Sequence, residues 1–286
     1  MKFIDFFAGI GGFREGLEHN GHKCVGWCEY DKFKQQAYRT VHNTEGEWFK
    51  DDITDVQPGE LPEADLYVGG FPCQSFSIAG NRGGFEDTRG TLFFEFMRLA
   101  KERKPKYLLL ENVKGLLNHD KGNTFSTILN TLAEFRYEWQ YQVLNSKDFG
   151  VPQNRERVFI IGHLRGQSRP KVFPIREKTS RIKKDGRYIL AHNIYGGFNE
   201  KKARIFDKYS PTIRTPKGGG HLPCVVDKEK GIRKITPLEC FRLQGFPDDW
   251  YYKCKQVGMS DNQLYRVAGD SVTVNVVKEI GRRLHN

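Results

Sequence analysis

The sequence predicts an α/β fold built on a doubly wound sheet with a second, smaller domain, and three observations predict it. Short apolar runs alternate with helical patterns through roughly the first 165 residues, as in a parallel sheet covered on both faces. Each run gives way to glycines, acids or a cysteine at the point where a strand would end. From about Gly166 the apolar periodicity weakens, Gly and Pro rise and basic residues gather.

The elements follow in order. Apolar runs predict strands over Phe3 to Phe7, Lys23 to Trp27, Trp48 to Lys50, Asp65 to Val68 and Tyr107 to Leu110. Helical patterns between them cover Phe13 to Glu18, Lys32 to Val41, Thr91 to Lys104 and Thr124 to Phe135. Tyr137 to Leu144 and Arg157 to Ile161 read as two more strands, joined by Asn145 to Glu156. Val276, Val277 and Ile280 stand at helical spacing within Thr273 to Leu284, so this last segment is expected to pack back on the sheet. The large domain then comprises residues 1–165 plus 266–286 and the small one 166–265.

Composition narrows the function. A chain of 286 residues can bury a full core, and at a mean hydropathy of −0.63 no run approaches the ~18 apolar residues of a membrane span. Asp5 interrupts what would be the apolar part of a signal peptide, and six cysteines without paired spacing fit a reducing cytosol. The eight histidines form no spaced cluster, so no metal is expected. Residues 165–234 hold 19 lysines and arginines against 6 acids, a net +13 in a chain of +11, which leaves −2 for the remainder. A regional basic surface beside a nearly neutral body suggests a polyanion, with nucleic acid the leading candidate over a plain solvated face.

The strand ends supply the chemistry. In an open parallel sheet, ligands bind at the carboxyl ends of strands. There stand Ala8-Gly9-Ile10-Gly11-Gly12, then Glu29-Tyr30-Asp31, then Asp51-Asp52-Ile53, Pro72-Cys73-Gln74 and Glu111-Asn112-Val113. The glycines alone are a weak signal, equally a tight turn. With Glu29 to accept two ribose hydroxyls, and Asp52 with Ile53 to take an adenine amine and cover its ring, the set specifies an adenosine. No Lys and Ser or Thr of a triphosphate loop follows the glycines, and S-adenosylmethionine fits. Cys73 as thiolate beside the Glu111 carboxyl is what addition to an aromatic ring requires, since the ring must be protonated elsewhere to become electrophilic.

Together these residues resemble the C5-cytosine DNA methyltransferase family over the whole chain except roughly 166–232. The likeness runs through Phe6 to Gly12, Glu29, Asp52-Ile53, Gly70 to Gln74, Glu86 to Gly90, Glu111 to Val113 and Gln153-Asn154-Arg155-Glu156-Arg157. It continues at Thr236-Pro237 through Glu239, Arg242 to Pro247, and Gly269-Asp270-Ser271-Val272. The resemblance implies a Rossmann-like sheet using S-adenosylmethionine, with the small domain recognising the target. Cys73, Glu111, Arg155 and Arg157 would be catalytic: Cys73 adds to cytosine C6, Glu111 engages N3 and the exocyclic amine, and Arg157 takes O2 and orients Glu111, with Arg155 nearby. Phe7, Ala8, Gly9, Ile10, Gly11, Gly12, Glu29, Tyr30, Asp52, Ile53, Pro72, Leu92, Asp270, Ser271 and Val272 would line the cofactor, Tyr30 stacking on adenine.

The attacked carbon lies inside the duplex stack, so the base must be flipped out. Residues 74–91, rich in glycine, read as a loop closing over it, with Gln74, Ser75, Ala79 and Arg89 toward the DNA. Some relatives have a serine at Ala79. Phe198 or Asn199 is expected to wedge into the gap, and Thr212, Ile213, Arg214 and Gly219 to face the target base. Asp270 stands where the family usually has asparagine, so donor contacts from that position are expected to be lost. The remaining cysteines are expected as ordinary core or surface thiols and Trp27, Trp48, Trp139 and Trp250 in the core, while Glu239 and Arg242 hold the second domain's fold. The implied protein is a cytoplasmic monomer acting on double-stranded DNA at the bacterial nucleoid. It is expected to pair functionally, without necessary contact, with a restriction endonuclease. Rivals are a tRNA-methylating member of the same family, an inactive DNA-binding relative, and an adenosine-cofactor oxidoreductase, which would leave the Cys73 and Glu111 motifs unexplained.

Overall fold

A computed structural model describes residues 1–72, 92–176, 188–191, 204–206, 208–215, 222–227 and 231–284. Its first half holds β1 (Lys2–Phe6), α1 (Gly12–Glu18), β2 (Lys23–Cys28), α2 (Lys32–Val41), β3 (Trp48–Lys50) and β4 (Leu66–Gly69). Then come α3 (Leu92–Arg103), β5 (Tyr107–Val113), α4 (Asn123–Glu134), β6 (Tyr137–Asn145), β7 (Gln153–Asn154) and β8 (Glu156–Leu164). Seven of these strands form one sheet in the order β3-β2-β1-β4-β5-β8-β6. β1 to β5 are mutually parallel, and β8 inserts antiparallel between β5 and β6.

Alternation along the strands splits the core in two. Ile4, Tyr67, Leu108 and Ile160 face one layer, packed with Phe93 and Phe96 of α3 and Ile128 of α4. Phe3, Leu66, Leu109 and Ile161 face the other, packed with Leu17 of α1 and with Val276, Val277 and Ile280. The last three belong to α8 (Val274–Leu284), which packs back on the sheet as its spacing predicts. α1 and α8 approach so closely that a Cβ on Gly16 would stand 2.6 Å from that of Val277.

β5 runs three residues beyond the predicted Leu110. Its parallel neighbour β4 stops at the Gly69–Leu110 pair, but antiparallel β8 continues, pairing Glu111 with Phe159 and Asn112 with Val158. Glu111 therefore projects from a rigid strand past the edge of its neighbour, not from a loop.

β9 (Tyr188–Ala191), β10 (Arg204–Phe206), β12 (Cys224–Asp227) and β13 (Gly231–Lys234) form a small antiparallel sheet, and β11 (Ser210–Pro211) pairs with β7. Three helices follow, α5 (Pro237–Leu243), α6 (Asp248–Gln256) and α7 (Asp261–Asp270). Capping boxes start α5 (Thr236 with Glu239) and α7 (Ser260 with Gln263). Glu239 also takes both ends of Arg233 at 2.8 Å, and Arg242 holds Asp248.

Packing at both ends of the expected small domain links it to its neighbours. Val172, Phe173 and Ile175 pack into the core of the large sheet, where Gln140 and Gln142 of β6 bond the main chain of residues 170–175. At the other end, position 266 falls inside α7, a single hydrogen-bonded unit. α5 to α7 share a core with Ile213, Val225 and Ile235, and also with Ile10 and Ala37 of the large domain.

Candidate active site

The glycine loop leaves β1 through Phe7 at φ 56°, Gly9 at 61° and Gly11 at 91°. These left-handed turns bring its amides round to the strand ends. Gly9 N–H donates to Glu29 Oε2 at 2.8 Å and Asp31 N–H to Oε1 at 2.9 Å, so the carboxylate that ends β2 also fixes the loop. A Cβ on Gly9 would meet nothing within 4 Å, whereas one on Gly11 would lie 2.1 Å from His42 Nε2. Burial, helped by the charge of Arg14, pushes the His42 imidazole down to about 3. The ring is therefore neutral, and its Nε2–H donates to the Ile10 carbonyl at 3.1 Å. Gly12 abuts Ser271, whose Oγ would be 2.7 Å from an added Cβ. Tyr30 is 75% exposed beside this crevice, and Ile53 is buried. Asp52 Oδ1 caps the turn after β3 by accepting from the Thr54 amide and hydroxyl.

Next to this crevice stands a mostly buried ion pair. Arg157 Nε meets Glu111 Oε1 at 3.0 Å, with both side chains mostly buried. Burial pushes the Arg157 guanidinium down, and the Glu111 charge opposes that shift. The chain leading to Cys73 is held against the same carboxylate. A Cβ on Gly70 would lie 3.0 Å from Glu111 Oε2, and Asn112 Nδ2 donates to the Phe71 carbonyl at 2.7 Å. Beyond Arg157 opens a cleft of about 680 Å³ whose walls include Lys114, Glu156, Thr212, Arg214 and Asp270.

Several expected site residues occupy other positions. Arg155 is 2% exposed, and its guanidinium donates to three main-chain carbonyls: Ile213 at 3.1 Å, Gly269 at 3.1 Å and Ser271 at 2.8 Å. Burial, then the like charge of Arg157, pushes it down to about 9. It braces the chain at Ile213, the end of α7 and the loop after it. Ile213 is likewise packed into the helical core, its N–H held by Gln153 Oε1, although it also borders the cleft. Thr212 and Arg214, to either side, do face the cleft. Trp139 is 36% exposed, unlike the buried Trp27 and Trp250. Cys73, Gln74, Ser75, Ala79, Arg89, Phe198, Asn199 and Gly219 lie outside the described residues. Pro72 and Leu92 are described, Pro72 exposed and Leu92 half-buried.

Sequence reasoning missed three residues that shape the site. His42 sits under the glycine loop, Gln153 joins Ile213 to the Leu243 carbonyl, and Lys34 holds Asp270 at 2.9 Å. Gln153 stands in the Gln153-to-Arg157 run, whereas His42 and Lys34 stand in no recognisable local motif, and the partners of all three lie far along the chain.

Comparison with known proteins decides the family. The model of the C-5 cytosine-specific DNA methylases matches residues 1–211 and 190–286. The chain belongs to this family. The methylase is 40% identical to the Type II methyltransferase M.SsoII of Shigella sonnei, over 99% of its own length and 79% of that protein. It is 39% identical to the Type II methyltransferase M.NlaX of Neisseria lactamica, over 99% and 96%. Its fold is similar to that of S. pombe Dnmt2 (TM-score 0.74, 19% identity, 100% and 98% covered). It is also similar to Entamoeba histolytica EhMeth (TM-score 0.72, 18% identity, 99% and 97% covered).

All five described cysteines are buried, and burial pushes Cys24 and Cys254 up to about 12 and Cys28, Cys224 and Cys240 up as well. Each is held as an unreactive thiol. Cys73, after the Pro72 that leads from the Glu111 contact, is the remaining cysteine of the six. Among the described residues no helix is long and apolar enough to cross a membrane, and no three His, Cys, Asp or Glu side chains gather as a metal site would need.

Proposed function

We propose that the methylase transfers a methyl group from S-adenosylmethionine to C5 of a flipped-out cytosine in a specific double-stranded DNA sequence, through a Cys73–C6 adduct. In this reading it is the modification enzyme of a restriction–modification system, at work on DNA in the bacterial cytoplasm. The observation that carries the reading is the Glu111–Arg157 pair at the free end of β5, with the Gly70 to Pro72 segment held against it.

The crevice fits the cofactor. Open space at Gly9, the Glu29 carboxylate at the loop and the exposed Tyr30 ring suit a ribose with an adenine beside it. S-adenosylmethionine, when bound, supplies an electrophilic methyl. The protein's own groups do the rest. Arg157 keeps Glu111 at one geometry and offers a donor to the cytosine O2, while Glu111 engages N3 and the exocyclic amine. The ring then accepts the Cys73 sulfur at C6, and its electron pair moves to C5, which becomes the nucleophile. Loss of the C5 proton after methylation returns that pair, and β-elimination expels Cys73. Unstacking costs a few kcal/mol, roughly, and the basic segment of residues 165–234 supplies phosphate contacts to offset it. The relatives at about 40% identity bear Type II names, which favours DNA over tRNA as acceptor.

Bisulfite sequencing of plasmid from expressing cells should show one methylated sequence context, and duplex DNA with 5-fluorocytosine at that site should trap the wild type covalently. Cys73→Ser should bind the duplex without an adduct. No denaturant-stable adduct on a confirmed site would overturn the covalent route, and tritium-methyl transfer to tRNA but not duplex DNA would overturn the acceptor.

A further inference from the structure

Asp270 stands where the family resemblance implies asparagine, and a carboxylate alone offers no donor. The fold supplies one. Lys34, in the first turn of α2, places its Nζ 2.9 Å from Asp270 Oδ2, with side chains 19% and 38% exposed. The ammonium is held charged: burial works against it, but Asp270, Glu29 and Asp31 together push its pKa up. Asp31 does not compete for it by contact, because its Oδ2 takes Arg266 at 2.8 Å and its Oδ1 caps α2.

We propose that Lys34 and Asp270 form a composite contact for the α-amino-acid end of the cofactor, Asp270 accepting from the ammonium and Lys34 donating to the carboxylate. The proposal rests on S-adenosylmethionine being the cofactor. The location supports it. Lys34 lies in the first turn of the helix that follows Glu29, the ribose acid in that reading, while Asp270 lines the cleft of Arg157 and precedes Ser271, which abuts Gly12. The pair thus lies between the ribose side and the methyl-receiving side. The charges support it too. The amino-acid end presents opposite charges together, and Phe7 to Gly12 contain no cation to meet its carboxylate. Arg14, the first cation after the loop, is committed to Glu47 at 2.8 Å and Glu18 at 3.1 Å. An asparagine amide would both donate and accept; here two ionised groups divide those roles.

Isothermal titration with S-adenosylhomocysteine and with 5′-methylthioadenosine, which lacks the amino-acid end, tests this on the full chain. Lys34→Met should weaken homocysteine-form binding about tenfold or more while leaving methylthioadenosine within about threefold. Lys34→Met/Asp270→Asn should recover most of the loss, because the amide restores a donor beside an acceptor without an unpaired charge. Unchanged S-adenosylhomocysteine affinity in Lys34→Met, equal loss of both ligands, or no recovery in the double variant would overturn the composite contact. If the wild type binds neither ligand, the cofactor reading falls and takes this proposal with it; if it binds both, only the contact is on trial.

Discussion

Gly9 and Gly11 lie two residues apart in one loop with positive φ, yet substitution by alanine should affect them in opposite ways. Gly11→Ala forces a Cβ into a backbone at φ 91°, 2.1 Å from His42 Nε2. The left-handed conformation costs roughly 1–2 kcal/mol. Relieving the overlap requires His42 to move by more than about 1 Å, breaking its 3.1 Å bond to the Ile10 carbonyl, for roughly another 0.5–1.5 kcal/mol. The sum is about 1.5–3.5 kcal/mol, or roughly 3–6 °C in Tm for a chain of this size. Gly9→Ala bears only the conformational cost, because its Cβ meets nothing within 4 Å. That same open space is where the cofactor reading puts ligand, so Gly9→Ala should lower S-adenosylhomocysteine affinity by about tenfold or more for a Tm change under about 5 °C. Calorimetric melting and titration on both variants, with Gly11→Ala/His42→Ala as the coupling test, separate the effects. Equal Tm losses for the two alanines, or strict additivity of Gly11→Ala with His42→Ala, would refute the assignment of the cost to the His42 overlap.

The neutral His42 makes a pH signature. Its folded pKa is depressed to about 3 against 6.5, so the stability it contributes is present above pH 6.5 and is lost as pH falls toward the folded value. Relative to His42→Gln, the wild type should lose up to about 2 kcal/mol between pH 7 and 5 in urea unfolding, and parallel profiles would count against a buried neutral ring. Arg155→Met leaves the buried carbonyls of Ile213, Gly269 and Ser271 without their donor and should destabilise by roughly 3 kcal/mol or more. Loss of methyl transfer with unchanged unfolding would instead mark Arg155 as a group on the substrate. Glu111→Gln should cut single-turnover methyl transfer by roughly 10²–10⁴ while DNA affinity stays near wild type, and undiminished transfer would remove Glu111 from the chemistry.

The fold was legible where a single short stretch decides it. Strands β1, β2, β4 and β5 are apolar runs that feed both core layers, and such runs need no distant partner to be recognised. The extension of β5 was not legible, because Glu111 and Asn112 are polar and only the pairing with β8 makes them strand. Helices α5 and α7 were missed although both capping boxes stand in the sequence, Thr236 with Glu239 and Ser260 with Gln263. The dense basic charge just before them drew the reading toward a polar surface. Thr236-Pro237 through Glu239 carries part of the family resemblance, and its local meaning is a helix start.

The site divides along the same line. Acids and glycines at successive strand ends converge because the topology of a parallel sheet brings all its carboxyl ends to one edge, so Glu29 and Glu111 could be placed from order alone. Arg155 and Arg157 could not be told apart that way. Two residues apart on the β7–β8 segment, they point to different surroundings. Arg157 meets a carboxylate on the neighbouring strand, while Arg155 meets carbonyls of a recognition segment and of α7 that are brought in from far along the chain. Charge at one position has no meaning until its partner is known. Asp270, read alone, is a lost donor. Beside Lys34 it is half of an ion pair, and the donor is restored from α2. The two substitutions in the double variant test that dependence directly, since a position whose role is set by its partner should tolerate asparagine best when the lysine is also gone.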